Sequence, residues 1–283
     1  MEVFTTPDRM RHWAERCQAD GRRIGVVPTM GALHDGHLAL LGAASERADA
    51  TVVTIFVNPL QFDRSADFDS YPRPIDDDLA TCERAGVDAV YAPTAATMYP
   101  PGFQTHIELG DLAERLEGPM RPGHFRGVAT VVMKLLSATR ADVAAFGQKD
   151  FQQMAIIRQM VRDLDLGVEV VGVPIVREPD GLARSSRNVR LTPDDRAAAV
   201  VLSQALRRAE ERFHDGELDA AALRSVVVEH IGTEPRADLE YVEVVDASTL
   251  RPVDRTAPPT SILLAAWFGD VRLIDNVVLD PPG

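Results

Sequence analysis

Short apolar runs recur along the first two thirds of the chain, at Ile24 to Val27, Thr51 to Val57, Ala89 to Tyr91, Val143 to Phe146 and Val168 to Val173. Each is too short for a buried helix, and such unalternating runs are what strands covered on both faces require. Helical patterns separate most of them, over Leu38 to Ala48, Asp76 to Ala85, Val128 to Ala138 and Phe151 to Leu164. Before the first strand, Thr6-Pro7-Asp8 reads as a cap, a first-turn proline and an acid at the positive end of a helix that Gly21 closes. Strand and helix in alternation predict a parallel sheet with helices on both faces. From Val176 the pattern changes: Pro179-Asp180-Gly181 makes a turn, a basic serine-rich segment follows, and helices are predicted over Pro193 to Phe213 and Leu218 to Ile231. Tyr241 to Val245, Ile262 to Ala266 and Val271 to Ile274 read as antiparallel strands, the last two joined across Trp267-Phe268-Gly269-Asp270. The expected division is an α/β domain over 1–175 and a smaller α+β domain over 176–283.

Composition narrows the partners. A chain of 283 residues, 45% hydrophobic and 26% charged, can bury two cores and shows no sign of disorder. A net charge of -13 argues against a nucleic-acid binder, whose affinity would rest on neutralised phosphates. Any polyanion must therefore meet a local basic patch. Cys17 and Cys82 have no CxxC spacing, which excludes a zinc ribbon or disulfide framework and fits a reducing cytosol. Neither the start, Met1 to Arg16, nor any later run has the apolar length of a signal peptide or membrane span, so no membrane association is expected.

Four segments carry chemistry. In PTMGALHDGH a strand ends near Pro28-Thr29 and a helix begins near Gly36; Gly31 and Gly36 let backbone approach a ligand, and helix-start amides favour an anion. His34 and His37 share one face of the first turn and can donate to phosphate oxygens; a plain Asp35 cap with incidental histidines, or a zinc pair, are the other readings. FVNPLQF runs a buried strand into Asn58-Pro59 and Gln61, where neutral amides could hold a carboxylate without blunting it, or simply form a turn. FGQKDFQQ repeats the strand, glycine and helix pattern, with Lys149 set to offset phosphate charge, Gln153 a turn further on, and Asp150 as cap or nucleotide contact. ARSSRN places Arg184, Ser185, Ser186 and Arg187 at the domain boundary, a phosphate clamp or a solvated linker. LEGPMRPGHFRG reads as a flap or surface loop, and Asp76, Asp77 and Asp78 as acids of an opening helical turn.

These segments, in this order and with YPR at Tyr71 to Arg73 and GVATVV at Gly127 to Val132, resemble the pantothenate synthetase family along the whole chain. The resemblance implies a Rossmann-like nucleotidyltransferase sheet, ATP and Mg²⁺, the substrates (R)-pantoate and β-alanine, and a cytoplasmic homodimer. It places ATP on Met30, Gly31, His34, Gly36, His37, Gly147, Gln148, Lys149, Asp150, Val176, Arg184, Ser185, Ser186 and Arg187. Pantoate is expected between Gln61 and Gln153 against Met30, with His37 as proton donor and His34 and Lys149 on the phosphates. The protein ligands of the metal are unassigned. Two positions depart from the family pattern: Gln148 where relatives often carry Glu, and Arg184 where they usually carry Met or Leu. Both make the nucleotide site less negative, which predicts tighter, more salt-sensitive ATP binding than in an Arg184→Met variant. A different nucleotidyl transferase, a non-catalytic ATP-binding protein, or a hydrolase using His34, His37 and His124 are the alternatives.

Overall fold

The computed structural model describes residues 1–62 and 68–280. Contacts divide the chain into two units, one of 1–147 with 156–174, the other of 148–155 with 175–283.

In the first unit the apolar runs form parallel strands β1 (Glu2–Phe4), β2 (Ile24–Thr29), β3 (Ala50–Ile55), β4 (Ala89–Tyr91), β5 (Val143–Gly147) and β6 (Glu169–Val173). Among the described residues they make one six-stranded sheet in the order β1-β4-β3-β2-β5-β6. β2 and β3 are buried nearly throughout, which explains why neither alternates. β1 was not legible: three residues ahead of the first helix carry too little pattern, and only pairing with β4 defines them; Thr6 stands at the cap position of that helix but makes no side-chain capping bond. The longer helices are α1 (Pro7–Ala19), α2 (Asp35–Ser45), α3 (Ile75–Arg84), α4 (His124–Thr139) and α5 (Phe151–Asp163), the first turn of α5 grouping with the second unit. Leu40, Leu41 and Ala44 of α2 and Cys82 of α3 pack with Val27, Val53 and Val90 in one apolar cluster. Burying a leucine or valine side chain contributes about 1.5–3 kcal/mol, so this cluster fixes where the strand ends lie.

The second unit adds α6 (Pro193–Ala198), α7 (Val201–His214) and α8 (Ala220–Ile231) to the antiparallel strands β7 (Asp238–Asp246), β8 (Thr260–Phe268) and β9 (Val271–Leu279). Leu202, Leu206, Phe213, Leu223 and Ile231 of the helices form its core with Val242, Ile262, Leu264 and Phe268 of the strands. The single helix expected over Pro193 to Phe213 is broken after Ala198. Ala199 and Val200 keep helical φ values, but ψ relaxes to -17° and -22°, the 3₁₀ range, and the pairing lapses for one step. Among the described residues no helix is long and apolar enough to cross a membrane.

Candidate active site

Strands β3, β2 and β5 are adjacent, and their carboxyl ends lead into FVNPLQF, PTMGALHDGH and FGQKDFQQ respectively. Chain order reverses between β2 and β5, the position at which open parallel sheets leave a ligand crevice.

The loop after β2 is held from beneath. Thr29 Oγ1 donates to the Thr54 carbonyl (2.6 Å) and accepts from the Gly31 amide (3.1 Å), while the buried Asp78 carboxylate accepts from Ala32 N (2.9 Å) and Leu33 N (2.7 Å). Gly31 has φ +85°, and a Cβ there would lie 2.7 Å from Asp78 Oδ2. Glycine is thus required by the left-handed turn and by the anchoring acid. Asp78 does more than decorate a helix start, a role the triple aspartate in the sequence did not single out. Burial, with the Asp78 charge adding to it, pushes the nearby Cys82 thiol up to about 11, so it stays protonated.

His34, not Asp35, caps α2. Its Nδ1 accepts from Gly36 N (3.2 Å), and His37 Nδ1 accepts from His34 N (3.2 Å), a reciprocal capping box. The His37 and Leu38 amides bond to the His34 carbonyl. Helix-start amides expected to meet an anion are therefore used in capping, which corrects that part of the sequence reading. An Nδ1 that accepts carries no proton, so these capping bonds select the Nε2–H tautomer in both imidazoles. The half-buried rings lie in tilted contact, with centroids 4.1 Å apart and planes at 34°.

Gln61 is oriented by a directional chain of hydrogen bonds. Tyr99 OH donates to Asn58 Oδ1 (2.8 Å), which also takes the Leu60 amide (3.3 Å); Asn58 Nδ2 donates to Gln61 Oε1 (3.0 Å) and to the Gly127 carbonyl (3.1 Å). With its oxygen committed, Gln61 turns Nε2 toward Met30 Sδ (3.1 Å) and presents a donor there. Asn58 is buried and saturated, so it positions Gln61 rather than meeting a ligand. Burial raises the Tyr99 hydroxyl far above its usual pKa, which keeps its proton on the chain. Behind this, His124 Nδ1 (2.8 Å) and Arg121 Nη2 (3.3 Å) bond to the Gln61 carbonyl. α4 approaches so closely that a Cβ on Gly127 would fall 2.2 Å from the Leu60 carbonyl. The segment read as a flap or surface loop is anchored at Glu117, Gly118 and His124, which are buried, while Pro119, Met120, Pro122 and Gly123 between them are exposed.

In the second unit, Gln148, Lys149 and Asp150 form a 3₁₀ turn leading into α5, with Gln153 half-buried in its first turn. Lys149 Nζ lies 3.6 Å from Asp150 Oδ1 and lines a small recess with Ser185, Arg187, Arg272 and Asp275. Ser185 caps the turn Ser186–Arg190 by accepting from Arg187 N (3.2 Å), which leaves its hydroxyl proton to donate. Val176 and Arg184 are joined through the Arg184 amide and the Val176 carbonyl (2.9 Å). The Arg184 guanidinium pairs with Glu178 (3.5 Å), which also takes Arg196 (2.6 Å) and Asn188 (2.9 Å). Burial raises the Glu178 pKa, but the Asn188 and Arg196 hydrogen bonds and the Arg196 and Arg184 charges outweigh it and hold the carboxyl below its ordinary value. Two polar residues in apolar β9 were missed. Asp275 grips Arg177 (2.7 and 3.0 Å), and Asn276 bonds to the turn carrying Lys149. Consecutive polar residues inside an apolar run were the available signal.

Known proteins bear on this arrangement. The profile of the family described as Pantoate-beta-alanine ligase matches residues 2–278. Pantothenate synthetase of Heliobacterium modesticaldum is 52% identical over 99% of this chain and 100% of its own. A crystal structure of pantothenate synthetase from Thermus thermophilus superposes with a TM-score of 0.94 at 41% identity, covering 99% of this chain and 100% of that one. The Francisella tularensis pantoate-beta-alanine ligase, described as complexed with beta-gamma ATP and beta-alanine, superposes with a TM-score of 0.81 at 32% identity, covering 100% and 99%. Matched from end to end by the profile and by relatives of this similarity, the chain belongs to the pantoate-beta-alanine ligase family.

Proposed function

We propose that this ligase, which joins pantoate to β-alanine at the expense of ATP, works through a pantoyl adenylate formed by neutral groups on the acid and cationic groups on the phosphates. A carboxylate oxygen of (R)-pantoate attacks the α-phosphorus in line, a P–O bond forms, and pyrophosphate leaves. The β-alanine nitrogen then attacks the anhydride carbonyl, AMP departs with the C–O bond pair, and the ammonium proton is lost to give the amide. The observation that carries this reading is the fixed orientation of Gln61, whose Nε2 donor stands beside Met30 and can hold the acid without ion-pairing it. A tight guanidinium or ammonium partner would draw electron density from the attacking oxygen.

Gln153 is assigned as the second pantoate amide, with Met30 against the apolar part of that substrate. His34 and His37, as Nε2–H donors, and Lys149 serve the phosphates, with His37 as proton donor. Gly31, Gly36, Gly147, Gln148, Asp150, Val176, Arg184, Ser185, Ser186 and Arg187 complete the proposed nucleotide set. For Mg²⁺, no group of three or more His, Cys, Asp or Glu among the described residues could hold a metal. The residues fit an ion carried by the triphosphate oxygens, with the exposed Asp150 carboxylate as the acid at hand. When bound it would offset phosphate charge. A homodimer in the cytoplasm completes the reading; the buried free thiols Cys17 and Cys82 suit a reducing compartment, and sedimentation tests the dimer.

The deciding experiment supplies pantoate, β-alanine and ATP and follows every product. The reading predicts equal amounts of AMP, pyrophosphate and pantothenate, and labelled pyrophosphate entering ATP with pantoate present and β-alanine absent. ADP and inorganic phosphate would instead indicate an acyl phosphate and overturn the adenylate.

A further inference from the structure

We propose that the Asp275-Asn276 pair of β9 is a positioning device that fixes the phosphate-binding segments of the second unit, with Asn276 acting on Lys149. The inference rests on the reading of Lys149 as a phosphate ligand. Asn276 is 3% exposed, and both protons of its Nδ2 are used, on the carbonyls of Gln148 (2.9 Å) and Lys149 (3.1 Å). Its own amide donates to Asp275 Oδ1 (2.8 Å). Asp275, 2% exposed, grips Arg177 at two points, and Arg177 also donates to the Gly181 carbonyl (3.1 Å). Arg177 begins the hairpin whose return strand, through the Arg177 to Ala183 bridge, delivers Arg184, Ser185 and Arg187. One dipeptide thus holds two segments that are remote in sequence, and both line the same recess.

Burying an amide and a carboxylate on a core strand is costly unless every donor and charge is matched. An apolar residue would serve the β9 core at less expense. What the amide supplies is direction: a short 3₁₀ turn has few bonds of its own, and two bonds to consecutive carbonyls set the rotation of its peptide planes and so the direction in which Lys149 leaves the backbone. The Lys149 side chain is long and flexible, and its ion pair with Asp150 is loose at 3.6 Å, so its root must be fixed if its ammonium is to be preorganised.

The test measures direct binding of ATP and of pantoate, with pantoate-dependent exchange of pyrophosphate into ATP, for Asn276→Ala, Asn276→Leu, Lys149→Ala and the Lys149→Ala double variants. Asn276→Leu fills the core position and removes the donors without adding a charge, so it serves where the alanine variant fails to fold. Both single Asn276 variants are expected to weaken ATP binding and slow exchange by about tenfold, the scale of buried hydrogen bonds lost, with pantoate binding unchanged. In the Lys149→Ala background the same substitutions should cost less than about twofold, because the two residues act through one contact. Equal weakening of ATP and pantoate binding, or full additivity with Lys149→Ala, overturns the inference and leaves Lys149 in its role. A Lys149→Ala enzyme that binds ATP and exchanges pyrophosphate normally overturns the Lys149 reading, and this inference with it.

Discussion

At the exits of β2 and β3 the polar side chains proposed to meet ligands are amides and imidazoles, each oriented by neighbours: imidazoles by backbone amides, Gln61 by Asn58, Asn58 by Tyr99; the Asp78 carboxylate there is committed to loop amides. Arg121, the nearby cation, is engaged with the Gln61 carbonyl and with His124. The second unit relies on charge instead, and cations there are matched with acids: Lys149 with Asp150, Arg184 with Glu178, Arg177 with Asp275. Neutral hydrogen bonds steer the side chains of the first unit, whereas in the second unit the cations are paired with acids and the turn carrying Lys149 is set by the Asn276 amide. The difference matches most of the proposed assignments, with Gln61 of the first unit on the acid and Lys149, Arg184 and Arg187 of the second on the phosphates; Gln153 and the two imidazoles are the exceptions. An acid that must act as a nucleophile keeps its reactivity when met by amide donors, whereas a triphosphate needs positive charge that does not collapse when the ligand is absent.

The comparison can be broken at several points. Lys149→Ala should have the largest effect, lowering kcat/KM by about 10³-fold as phosphate charge goes unanswered, with pantoate binding intact in a direct measurement. Gln61→Glu exchanges the donor beside Met30 for a carboxylate and should weaken pantoate binding by about 30-fold at neutral pH, the scale of losing a hydrogen bond to a charged group; unchanged affinity would remove Gln61 from the acid's site. Tyr99→Phe, which frees Asn58 from one of two donors, should cost about three- to tenfold in pantoate affinity and nothing in ATP affinity. An equal loss for both ligands would mean that Tyr99 serves the fold alone.

Two smaller effects concern the second unit. Glu178 has a lowered pKa, so its contribution to stability is complete above its unfolded value of about 4.5 and is lost as pH falls through the folded value. Acid titration of the melting temperature should therefore be less steep below about pH 4.5 in Glu178→Gln than in the parent, and parallel curves would remove Glu178 from the network. Arg184→Met should loosen ATP binding by only about two- to fivefold, because Glu178 already satisfies much of the guanidinium charge. Isothermal titration at several salt concentrations checks this, and equal affinity and slope would make the arginine incidental.

The alternation of apolar runs and helical periods made the parallel sheet legible, because strands buried on both faces have no other way to read. The motifs at the ends of β2, β3 and β5 were equally plain, since glycine, proline, asparagine and histidine interrupt apolar runs there. What holds those motifs was not. Asp78, Tyr99 and Asn276 act across 46, 41 and 128 positions of chain, and no local pattern links a buried side chain to so distant an amide or carbonyl. The sequence left the α2 cap open: Asp35 is the better capping residue by type, yet the reciprocal His34 and His37 bonds take that position.

The most direct test of the contrast between the units is a salt titration of equilibrium binding for ATP and for pantoate, measured separately on the same protein. ATP affinity is expected to fall steeply as salt screens Lys149, Arg184 and Arg187, while pantoate affinity stays nearly flat because amides hold it. Equal salt dependence for the two ligands would contradict the account, since it would mean that cations hold the acid as well.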